Sequence, residues 1–135
     1  MPVGYSGTPL VRKLGIKPGM RIAVVRPPDD YWELLGDLPQ DVRVCGASAG
    51  RLDFMHVFGT SRARVDASVR SARARIVPAG MIWVSWPKKA SKVPTDVTEE
   101  VVRAVAFTHK LVDVKVCAVD AVWSGLKLVI RRRDR

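Results

Sequence analysis

Three short runs in this chain are apolar almost throughout: Met20 to Val25, Phe54 to Phe58 and Met81 to Trp86. A strand reads this way when both of its faces are covered, as in a parallel sheet flanked by helices. Between the second and third runs the period changes. Over Ser61 to Ile76, Val65, Val69, Ala72 and Ile76 recur on one helical face, while Arg62, Asp66, Arg70 and Arg73 line another. This is the clearest helix in the chain, and Pro78-Ala79-Gly80 is predicted to end it before the third strand begins.

Shorter elements fill the remainder. Thr8-Pro9 supplies an N-cap and first helical residue for a short helix stopping at Gly15. A second short helix holds Tyr31, Trp32, Leu34 and Leu35, and a short strand follows at Val42 to Cys45. Asp96 with Glu99 three residues later resembles a capping pair, opening a helix that turns Val101, Val102, Val105 and Ala106 inward. The last two strands alternate. Val112, Val114 and Val116 interleave with Asp113, Lys115 and Cys117, and Leu126, Leu128 and Ile130 interleave with Lys127, Val129 and Arg131. With a short connection around Asp120 to Gly125, they form an antiparallel hairpin at a sheet edge.

Strands alternating with helices and closing in a hairpin predict an α/β protein, a three-layer Rossmann-like sandwich forming one domain over 1–135. Its six-stranded sheet is mainly parallel. With strands numbered in chain order, the expected order is 2-1-3-4-6-5, with the reversal between the first and third strands. The carboxyl ends of the first, third and fourth strands then share one cleft, the usual ligand position in such sheets. That cleft would collect Asp29 and Asp30, Thr60 and Ser61, and Lys88, Lys89 and Lys92.

Composition narrows the function classes. At 135 residues, 47% hydrophobic and 27% charged, the chain can bury a core without disulfides. No apolar run approaches the ~18 to 20 residues of a membrane helix. Met1 to Tyr5 lacks the charged start and apolar core of a secretion signal, so a cytoplasmic location is expected. Cys45 and Cys117, the only cysteines, suit reduced buried thiols. The net charge of +10 favours anionic partners: a small anionic ligand, nucleic acid or an acidic protein, with no membrane contact. Arg62, Arg70 and Arg73 are the expected nucleic-acid surface. The tail Arg131 to Arg135 reads as a solubilising end.

The strongest candidate for chemistry is the loop after the strand Trp83-Val84-Ser85-Trp86-Pro87. Lys88, Lys89 and Lys92, with Ser91 and Thr95, can hold phosphate or carboxylate, and Trp86 can offer a stacking face. Other constellations carry less. His56 sits among Phe54, Met55 and Phe58 as a satisfied interior histidine, and His109 suits a helix C-terminus. Neither has a partner at metal-ligand spacing, so no metal is expected. Ser61 and Ser85 lack a nucleophile-elbow context, and Ser61 is better explained as an N-cap. Helix capping is also the simpler role for Asp29 and Asp30.

Several blocks together make a recognisable pattern: Ser6-Gly7-Thr8-Pro9-Leu10, Lys13-Leu14-Gly15-Ile16-Lys17, Trp83 to Ser91 reading on to Asp96, Val114 to Asp120, and Trp123 to Lys127. They resemble a bacterial family of short proteins of unknown function, which implies a cytoplasmic bacterial protein and transfers no catalytic residues. By element order the chain also looks like a trimmed Rossmann-like methyltransferase. That architecture implies S-adenosylmethionine, but the residues argue otherwise. A glycine-rich turn after the first strand must present backbone N–H groups. Here it reads Arg26-Pro27-Pro28-Asp29-Asp30, and the second strand ends in Cys45-Gly46 where an acidic residue would grip a ribose. No cofactor is therefore expected. The favoured reading is a non-enzymatic binding or regulatory module with a basic surface and a degenerate cofactor site. The alternative is an enzyme on a small anionic substrate, with a methyltransferase-like reaction among those open to it, Lys88 or Lys89 as clamp and Asp29 or Asp30 as base.

Overall fold

The computed structural model describes residues 8–46 and 48–135. The Met1 to Tyr5 segment, Ser6-Gly7 of the first motif block, and Ala47 lie outside the described residues. Helix α1 (Leu10–Leu14) precedes β1 (Arg21–Val25), and α2 (Tyr31–Leu35) precedes β2 (Arg43–Val44). Then come β3 (Leu52–Phe58), α3 (Arg62–Arg75), β4 (Ile76–Pro87), α4 (Glu99–Thr108), β5 (Leu111–Ala118) and β6 (Trp123–Ile130). The sheet order is β2-β1-β3-β4-β6-β5. The first four strands pair in parallel, and β6 runs antiparallel to both β4 and β5. The predicted order and hairpin are both present.

Two apolar clusters cover the sheet. Val65, Val69 and Ala72 of α3 and Val102, Val105 and Ala106 of α4 pack with Ala23, Met55, Val57, Ile82 and Val84. On the opposite face Leu10, Leu14, Tyr31 and Leu35 of the two short helices join Ile22, Phe54, Phe58 and Trp83. Gly15 ends α1 in the left-handed region at φ 82, which favours glycine. Trp83 Nε1 then donates to the Leu14 carbonyl at 2.8 Å, fastening that helix end to the sheet.

Four local expectations change. Pro9 is the N-cap residue of α1 rather than its first helical residue. Pro78-Ala79-Gly80 lies within β4 instead of preceding it. Ile76 already pairs with Leu52, and the register slips before Phe54 meets Met81, so the extra residues form an irregularity inside the strand. A Cβ at Gly80 would stand 3.0 Å from the Leu52 carbonyl oxygen, so this crossing is built for glycine. Third, Thr98 caps α4, accepting from the Val101 N–H at 3.2 Å. Asp96 caps a different helix: its carboxylate accepts from the Arg62 N–H at the start of α3, at 2.7 Å.

The fourth change is at the edge strand. In β5 Asp113 pairs with Leu128 but Lys115 with Lys127, which leaves Val114 as an extra residue. Val112 and Val116 consequently lie opposite Val129 and Leu126, residues of opposite sheet faces. Val112, Val114 and Val116 are all exposed.

Candidate functional site

The strand order sets the ends of β1, β3 and β4 side by side, as the cleft requires. The residues there have tasks within the fold. Lys88 Nζ donates to the Asp120 carbonyl at 2.7 Å, and its N–H donates to Val122, so this lysine clamps the β5–β6 turn. Lys89 and Lys92 are exposed, the latter at φ 60. Ser91 Oγ donates to the Lys88 carbonyl at 2.6 Å, closing the short 3-10 turn. Trp86 is only 6% exposed and packs in the cluster beneath α3 and α4, so it offers no stacking face.

Thr60, Ser61 and Thr95 do meet. Thr95 Oγ1 donates to the Thr60 carbonyl at 2.7 Å, and Ser61 Oγ accepts from the Arg64 N–H at 3.2 Å as the α3 N-cap. A helix N-terminus attracts anions. Here the carboxylate of Asp96 already occupies it. Asp29 and Asp30 are exposed beside the turn after β1, and Asp30, at the N-cap position of α2, makes no side-chain capping bond.

A buried polar chain lies beneath this crevice: His56 is the satisfied interior histidine expected, and its two partners are what the motifs did not foresee. His56, fully buried in β3, has the Tyr31 hydroxyl 2.9 Å from Nδ1 and the Ser85 hydroxyl 2.8 Å from Nε2. In the neutral ring one nitrogen donates and the other accepts, so both hydroxyls are satisfied. Burial drives the His56 pKa down to about 3 and pushes the Tyr31 phenol well above its usual range. The ring stacks on Phe58 at 4.2 Å between centroids, and Tyr31 meets Phe58 and Trp32 edge-on. Tyr31 thus fills the space above β3 on the α1–α2 side. His109 Nε2 lies 2.9 Å from the Asp66 carboxylate, holding α4 to α3. Neither histidine belongs to a metal cluster, and among the described residues no group of three metal-ligating side chains occurs. Cys117 is half-buried, and desolvation raises its thiol pKa against the opposing pull of Lys13 and Lys115.

The other basic surface is α3 itself, with five arginines against one acid, Asp66, in its 14 residues. Arg62, Arg64 and Arg70 are exposed and, among the described residues, have no ion-pair partner. Arg73 differs from the expectation: its Nε donates to the His109 carbonyl at 2.8 Å, so it braces α4. Arg64 was missed because it falls off the expected arginine row. A cavity of about 330 Å³ on the α4 flank is lined by Arg70, Arg73, Thr108 and Lys110. Another of about 240 Å³ on the β1 flank is lined by Arg26, Arg64, Ser68 and Ser71 over Val25 and Met55.

Comparison with known proteins places this architecture. No family model matches the chain, and no curated protein matches its sequence. The resemblance of its motif blocks to short bacterial proteins therefore gains no support there. Solved structures do match. A SAM-dependent methyltransferase from Aquifex aeolicus superposes with a TM-score of 0.64 at 13% identity, covering 90% of this chain and 88% of that one. The fold is methyltransferase-like. Fibrillarin from Aeropyrum pernix, solved with natively bound S-adenosyl-L-methionine, gives 0.58 at 12% identity over 93% and 70% of the two chains. Magnesium protoporphyrin IX methyltransferase from Synechocystis, with bound SAM, gives 0.58 at 9% over 90% and 74%.

A methyltransferase-like fold implies S-adenosylmethionine, and the turn after β1 does not fit it. Arg26 sits at φ 54, Pro27 and Pro28 have no N–H, and the Tyr31 N–H is spent on the Pro28 carbonyl at 3.0 Å. The loop thus has two prolines and two aspartates where N–H groups would be needed. The end of β2, Cys45-Gly46, offers no carboxylate for a ribose. In addition, no described helix is long and apolar enough to cross a membrane.

Proposed function

We propose that this chain is a cytoplasmic bacterial binding or regulatory module that uses a methyltransferase-like fold without the cofactor and meets a nucleic acid through α3. The observation that carries this reading is the exposed set Arg62, Arg64 and Arg70, without an ion-pair partner among the described residues, beside an acid already engaged by His109. Lysines and arginines that neutralise phosphates release counterions, so such binding is sequence-independent and weakens steeply with salt. Fluorescence anisotropy with a labelled duplex tests it. Binding at low ionic strength should fade as salt rises, and an Arg62→Ala, Arg64→Ala, Arg70→Ala variant should lose most of it. An absent or salt-insensitive signal would refute the interface.

The second reading is an enzyme of methyltransferase type acting on a small anionic substrate, and the solved neighbours favour it on fold. Calorimetry with S-adenosylmethionine separates the two. We expect no heat of binding, because Pro27 and Pro28 remove two donors from the turn and Asp29 and Asp30 add two carboxylates to it. Micromolar affinity would establish the enzymatic reading instead.

A further inference from the structure

Arg21 and Arg43 open the two parallel strands β1 and β2, directly across from one another in the pairing. Neighbouring strands lie about 4.8 Å apart and residues in register project to the same face, so two side chains of like charge start from adjacent positions. Among the described residues neither arginine has an ion-pair partner. The adjacent carboxylate, Asp53, accepts from the Arg21 backbone N–H at 2.9 Å. Arg21 Nη2 donates to the Gly50 carbonyl at 3.3 Å, and its Nε is buried with no acceptor.

The pair lines a cavity of about 590 Å³ with Gly19, Asp41 and Val42. That volume falls within the range of roughly 300 to 1,000 Å³ typical of small-molecule sites. Its rim is conformationally committed: Gly19 holds φ 78 and Asp41 holds φ 62. No atom lies within 4 Å of where a Gly19 side chain would begin, so this rim is open. The cavity is at the amino ends of the strands, away from the crevice after β1 and away from the exposed face of α3.

We propose that this cavity binds a phosphorylated small molecule, its phosphate between Arg21 and Arg43 and a hydroxyl of its body donating to Asp41. Guanidinium forks match phosphate oxygens, and among the described residues the Arg21 Nε–H has no acceptor within the fold to compete for it. Asp41 sets the rest of the ligand, since a carboxylate on the rim repels a bare anion and welcomes one that brings a hydrogen-bond donor. A sugar phosphate and a ribonucleotide share that chemistry.

The test is calorimetric titration of the full chain with ribose 5-phosphate, adenosine monophosphate and inorganic phosphate. Binding of one or both organic phosphates, above inorganic phosphate, is expected; binding of the nucleotide alone identifies a base-recognising site, and binding of both a sugar-phosphate site. Arg43→Gln should cut affinity about tenfold or more while the melting temperature holds, because this exposed side chain has no partner among the described residues. Arg70→Ala on α3 should leave affinity unchanged. In the wild type, the Arg21 Nε–H resonance should shift on titration, a readout independent of any variant. The proposal is overturned if no organic phosphate binds, if Arg43→Gln binds like wild type, if Arg70→Ala weakens binding equally, or if the Arg21 resonance stays still.

Discussion

Acid should destabilise this protein through one residue. His56 is fully buried, and burial lowers its pKa from 6.5 to about 3. The fold therefore holds the neutral ring, while the unfolded chain takes up a proton as pH falls below 6.5. Stability from this group is fully present above pH 6.5 and drains away between there and about pH 3. One pKa unit corresponds to about 1.36 kcal/mol, so acidification to about pH 4.5 should remove roughly 3 kcal/mol. Against the ~5 to 15 kcal/mol typical of a domain, that is a large share. The assay is urea unfolding at a series of pH values for wild type and His56→Gln. Glutamine keeps a donor and an acceptor for Tyr31 and Ser85 but cannot titrate. The variant should start lower at neutral pH, and the gap should close by roughly 3 kcal/mol at about pH 4.5. Parallel curves would refute the reasoning, as would His56 ring resonances that titrate near their ordinary pH.

Two further perturbations probe the packing. Lys88→Ala removes the contact to the Asp120 carbonyl and should cost about 1 kcal/mol in thermal melts, whereas Lys89→Ala should stay within ~0.5 kcal/mol; equal effects would refute a structural role for Lys88. Gly59→Ala should cost about 1 to 3 kcal/mol in unfolding free energy by urea titration, because its Cβ would stand 2.7 Å from Val65 Cγ2, and an unchanged midpoint would show that α3 yields freely.

The sheet order was legible because buried parallel strands and an alternating hairpin have different apolar periods. Met20 to Val25, Phe54 to Phe58 and Met81 to Trp86 all lie in or against strands of the expected pairing. What stayed hidden depends on contacts distant in sequence. Asp96 reads as a cap for the helix that follows it, yet its carboxylate crosses 34 positions to cap α3. Pro78-Ala79-Gly80 reads as a break, but pairing of Ile76 with Leu52 starts the strand before it. The site was less legible than the fold. Lys88 and Trp86 carry residue types suited to a ligand and spend them on the hairpin turn and the core. Tyr31, His56 and Ser85 come from three elements and no spacing rule joins them. Arg21 and Arg43 are 22 positions apart, and only the β1–β2 register makes them neighbours.

The unpaired Val114 in β5 has a consequence for how this molecule tolerates crowding. An outer strand of eight residues with exposed valines is a template on which a neighbouring chain can extend the ladder. The additional residue throws such a ladder out of phase after Asp113, leaving Leu111 to Asp113 on one side and Lys115 to Ala118 on the other. An incoming strand can match one stub and clashes in phase with the other, and both stubs fall short of the roughly six residues typical of a stacking segment. Deleting Val114 to straighten the strand would restore a continuous edge, so a change that tidies the local geometry would make the protein more prone to fibre growth.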